Sequence, residues 1–148
     1  MIPWDEHSDK VSKQRPDLEK ARSLTKIAEL RMERAAKTEL PRFSTLVVEE
    51  YYEVIKEIST GIMCTEGWKT TSHELMIGYL AEFHMEITQL ELVLIDQLRI
   101  MRNDMDYRGI TIDSEYLGRN QDAILSVIKR LRTILDKKLD ANTAKPKT

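Results

Sequence analysis

From Leu18 to Leu139 apolar residues return at every third or fourth position with few interruptions, which is the spacing of an α-helix and not of a strand. Helices of this kind bury an apolar stripe only by packing on one another. Glycine (five) and proline (four) are scarce, and no Asn-Gly or Asp-Gly pair marks a hairpin. The pattern predicts an all-α chain: an up-and-down helical bundle of four long helices plus one shorter helix.

Local signals divide the chain further. Residues 1–15 are polar and mixed and read as a flexible N-terminal arm. Pro16 suits the first position of a helix that continues to about Thr38, with Asp17 and Glu19 in its positive first turn. Pro41 interrupts, and a second helix runs from about Phe43 to Cys64, with Gly67 near its C-cap. Thr71 and Glu74 have capping-box spacing and open a shorter helix through Phe83, while Thr88 and Glu91 open the next in the same way. Gly109 ends that fourth helix, Asp113-Ser114-Glu115 starts the last, and residues 141–148 read as a disordered C-terminal tail, so that the domain covers 16–140. The fourth helix carries Leu92, Val93, Leu94, Ile95, Ile100 and Met101, more than one stripe. It needs cover on two sides, from a central place in a monomer or from a dimer.

A chain of 148 residues makes one domain with a core of its own. The lone Cys64 excludes an internal disulfide and a zinc site built on several thiolates, and reads as a small core residue. No signal peptide or membrane span is evident, which predicts a cytoplasmic protein with no membrane partner. The net charge of −2 is uneven: residues 1–42 hold ten bases and eight acids, 43–98 two and ten, 99–148 eleven and seven. Such a basic C-terminal third beside an acidic middle attracts anions locally, although solvated helix faces give the same count. Neither Glu-x-x-His pairs, a second zinc-protease His, a phosphate-binding glycine loop nor a serine nucleophile elbow is present, so no metal and no cofactor is expected. Glu49, Glu53 and Glu57 form a stripe that reads as a solvated face ahead of a metal face.

The stretch from Leu98 to Gly109 (Leu-Arg-Ile-Met-Arg-Asn-Asp-Met-Asp-Tyr-Arg-Gly) resembles the signature of the HEPN superfamily, where an Arg, often followed by Asn, stands near a helix end with a His after four to six further residues. Tyr52 to Ile58 and Gly67 to Leu75 are similar to segments of archaeal and bacterial members, and the resemblance spans roughly Leu18 to Leu139. It implies a four-to-five-helix bundle, a homodimer whose Arg motifs face a shared cleft, action on RNA or a nucleotide, and in some members a nucleotidyltransferase partner in a toxin–antitoxin pair. Carried over, Arg102 is the motif Arg and Asn103 its companion, but Tyr107 stands where the His belongs and no His follows. A phenol with a pKa of about 10 is a poor base near neutrality, whereas imidazole at about 6.5 is a good one.

The expectation is therefore binding of RNA or a nucleotide, or docking of the partner, through Arg99, Arg102, Asn103, Tyr107 and Arg108, without the usual ribonuclease activity. Arg119, Lys129, Arg130 and Arg132 are further bases expected near the ligand. Two alternatives stand beside it. One is an active endoribonuclease, with Arg102, Asp106 and Tyr107 as catalytic candidates or a His from elsewhere as base. The other is a plain helical interaction protein. Read without the family, Arg102 pairs with Asp106, Asn103 bonds the helix end and Tyr107 lies as a lid on the core. His73 belongs to a capping segment and His84 to the loop before Thr88.

Overall fold

A computed structural model of the chain describes residues 1–144. It is all-α apart from a two-stranded antiparallel ribbon: β1 (Val11–Lys13), α1 (Leu18–Lys37), α2 (Ser44–Glu66), β2 (Trp68–Thr70), α3 (His73–Phe83), α4 (Gln89–Arg108) and α5 (Ser114–Ala144). The α1–α2 pair is antiparallel, since the Asp17 N–H donates to the Cys64 carbonyl at one end and Arg34 meets Glu50 at the other. Gln121 to Tyr51 and Lys138 to Glu66 set α5 parallel to α2, and α4, whose end meets α2 through Arg102 and Glu53 while its start meets Arg130 of α5 through Glu91, runs antiparallel to both.

The central helix is α2, not α4. Tyr52, Val54, Ile55, Ile58 and Ile62 are each almost wholly buried, so α2 is covered on several sides. On α4 only Leu92, Ile95 and Leu98 are buried. Leu90 (82% exposed), Val93 and Ile100 face outward instead, so the breadth of apolar residues on α4 is not explained by a central place in the monomer.

Several boundaries differ from the sequence expectation, each for a local reason. The N-cap of α1 is Asp17, whose carboxylate accepts the Lys20 N–H at 3.0 Å, and Pro16 stays outside the helix. Gln14 and Asp17 donate their own N–H groups to the Gly67 and Cys64 carbonyls, which fixes the entry. Ser72, not Thr71, caps α3: its hydroxyl accepts the Leu75 N–H at 3.1 Å, while the Thr71 N–H donates to the Lys10 carbonyl and ties that residue to the N-terminal segment. The capping box of Thr88 and Glu91 forms as expected. Gly67 closes α2 with a φ of 86°, in the left-handed region that favours glycine.

The segment 1–15 is not a free arm. Trp4 packs edge-on against Tyr79 and Trp68, and β1 pairs with β2. Gly78 permits this: a Cβ there would stand 2.6 Å from the Ile2 carbonyl oxygen. At the other end α5 continues through Ala144, past the expected start of a tail at residue 141. The rest of that expected tail, 145–148, lies outside the described residues.

Candidate functional site

Position along α4 decides which motif residues meet. At about 100° per residue, Arg99, Arg102 and Asp106 share the face toward α2, while Tyr107 lies about 140° around from Arg102. Tyr107 is 85% exposed, so it is neither a lid on the core nor a neighbour of Arg102. Arg108 points away as well and pairs loosely with Asp104 at 3.9 Å. Asn103 is half-buried and makes no side-chain hydrogen bond among the described residues. The five proposed contact residues are therefore not one constellation.

Arg102 lies against α2. Its guanidinium reaches Glu53 at 2.9 Å and the expected partner Asp106 only at 3.8 Å. It sits 5.9 Å from the centre of the Tyr52 ring, within the range of a cation–π contact. The Tyr52 hydroxyl meets Nδ1 of His73 at 3.0 Å, with the tautomer open. His73 is the first residue of α3, as its place in a capping segment foretold, yet its ring is tied to α2 and faces the Arg102 cluster.

Electrostatics follow from this packing. Burial lowers the His73 pKa, and the cations Lys56, Arg102 and Arg99 lower it further, so the imidazole is neutral at pH 7. Burial raises the Tyr52 phenol, which stays protonated and can donate to that imidazole. Burial also pulls Glu53 upward, but Lys56 at 2.6 Å, Arg102 and Arg31 outweigh it and hold the carboxylate ionised. Arg102 Nε is buried with no hydrogen-bond partner. A buried guanidinium donor without an acceptor is uncommon and asks for a reason.

The glutamate stripe is not a solvated face. Glu57 is buried and bonded to Arg31 at 2.8 Å, Glu53 pairs with Lys56 at 2.6 Å, and Glu49 is half-buried. No group of three or more candidate metal ligands occurs among the described residues. The wider set of expected bases is spread over different surfaces: Arg130 pairs with Glu91, Arg132 with Glu29 and Asp136, and Arg119 with Glu115. His84 caps the end of α3 before Thr88 as expected, but it is buried and joined to Glu66 at 2.8 Å.

What sequence reasoning missed is the convergence of Tyr52, Glu53, Lys56 and His73 on Arg102. The first three lie within two turns of α2, and that spacing was the available signal. Comparison with family models, with curated proteins and with solved structures finds no match. Among the described residues no helix is long and apolar enough to cross a membrane.

Proposed function

We propose that this chain is a HEPN-like helical protein that binds a phosphate group of RNA or of a nucleotide through Arg102, without the usual ribonuclease activity. The observation that carries the reading is the Arg102 guanidinium, anchored toward α2 by Glu53 at 2.9 Å while a quarter of the side chain stays exposed to an acceptor such as a phosphate oxygen. Arg99 stands one turn away on the same face, although Asp96 and Glu74 already engage it. The outer face of α4, with Leu90, Val93 and Ile100, supports a homodimer formed back-to-back on that helix. Arg102 points to the opposite side of α4, so this dimer departs from the shared cleft that the resemblance implies. A nucleotidyltransferase partner would compete for the same apolar face. The binding test is RNA titration of the wild-type protein and Arg102→Ala at two salt concentrations: wild-type binding falls with salt, and the variant loses most of it.

One observation favours a second reading, an endoribonuclease. In the tautomer whose Nδ1–H donates to the Tyr52 oxygen, the neutral His73 imidazole keeps its Nε2 lone pair to take a proton from a 2′-hydroxyl while the guanidinium faces the phosphate. In that case His73→Gln abolishes cleavage and leaves RNA binding in place, whereas under the binding reading neither form cleaves.

A further inference from the structure

Beside His73, residues of α1, α2, β2 and the start of α3 line a cavity of about 210 Å³. Its wall includes Lys20, Lys56, Lys69 and His73, with hydroxyls from Thr60 and Thr71 and no carboxylate. Residues 43–98 contain only two bases against ten acids, and both of them, Lys56 and Lys69, line this one cavity. Lys20 joins them from α1. Gathering ammonium groups in this way raises the energy of the folded chain unless an anion offsets it.

The nearby carboxylates do not neutralise the cavity. Glu53 pairs with Lys56 but is shared with Arg102. Asp17 accepts the Lys20 backbone N–H as the cap of α1 and is not part of the cavity wall. Lys20 and Lys69 have no ion-pair partner among the described residues, and both are exposed enough to meet a ligand from solution. The peptide N–H groups of the first turn of α3 add a favourable field for negative charge at the same wall.

We infer that this cavity is a binding site for a phosphate monoester or free phosphate, held by Lys20, Lys56 and Lys69 against His73. The volume suits a compact anion and excludes a whole nucleotide, so a nucleotide or RNA end would enter by its terminal phosphate. The inference does not depend on Arg102 binding RNA. It places a second phosphate contact on a wall that does not include Arg102.

The test is NMR titration of the full chain with inorganic phosphate, with a nucleoside 5′-monophosphate, and with a short RNA carrying either a 5′-phosphate or a 5′-hydroxyl. Bound anion should move the His73 ring and the Thr71 and Ser72 amide resonances in a saturable way. The Lys20→Gln/Lys69→Gln double variant should bind about tenfold more weakly. A charge-matched Lys26→Gln/Lys137→Gln control, altered at exposed positions of α1 and α5, should bind like the wild type. Arg102→Ala should keep this response even if it loses RNA, which separates failure of the two readings. Preference for the 5′-phosphorylated RNA identifies a nucleic-acid end, and saturation by inorganic phosphate alone identifies the free ion. Absence of saturation at those resonances, the same response to chloride at equal ionic strength, or unchanged affinity in the Lys20/Lys69 variant would overturn the proposal.

Discussion

The exchange of His for Tyr at position 107 looks decisive in the sequence and carries less weight in space. Tyr107 faces solvent while Arg102 faces α2, so an imidazole at 107 would not meet the arginine. Tyr107→His is therefore expected to leave any ribonuclease activity unchanged in a gel-based cleavage assay, and a gain in cleavage would contradict the geometry. A second residue-scale prediction concerns Glu66, which accepts from Tyr79, His84 and Lys138, each at 2.8 Å. Burial raises its pKa, but these partners outweigh burial and bring it down to about 2. A lowered folded value means stability that is present above the ordinary value near 4.5 and lost as pH falls toward about 2, on the order of 3 kcal/mol. His84 has the opposite sign: burial lowers its pKa, Glu66 and Glu86 more than restore it, and the resulting stability is lost as pH rises through the raised value. Denaturant melts of Glu66→Gln should thus show a flatter loss between pH 5 and 2 than the wild type, and equal slopes would refute the network.

At the scale of elements, the ends of the helices set what is stable. Gly67 holds a φ of 86°, and a Cβ there would approach the Gln14 carbonyl oxygen to 2.8 Å. Gly67→Ala should destabilise by about 1–3 kcal/mol in thermal or chemical melts. Gly109 also has a positive φ, but open space surrounds it, so Gly109→Ala is expected to cost less. The helices were legible because helical spacing and caps are local signals, as at Thr88 with Glu91 and at Gly67. The docked N-terminal segment was not, because it depends on Trp4 meeting Trp68 and Tyr79 far along the chain and on a side chain that Gly78 lacks. The site was half legible for the same reason. Arg102 stands out by resemblance, while the pairing of His73 with Tyr52 exists only once α3 lies against α2.

For the whole molecule, the outward apolar residues of α4 and the inward Arg102 define two different surfaces. With Leu90 and Ile100 uncovered in the single chain, light scattering should give about twice the 17.3 kDa chain mass, and Val93→Glu/Ile100→Glu should give the chain mass itself. A monomer in the wild type would remove the dimer from the account. The central claim, that Arg102 is a phosphate contact, is tested most directly by the salt dependence of RNA affinity in the wild type and in Arg102→Ala. The account predicts a steep decline with salt in the wild type and, in the variant, weaker binding with a slope shallower by about one counterion. Equal affinity and equal slope in the two proteins would contradict it.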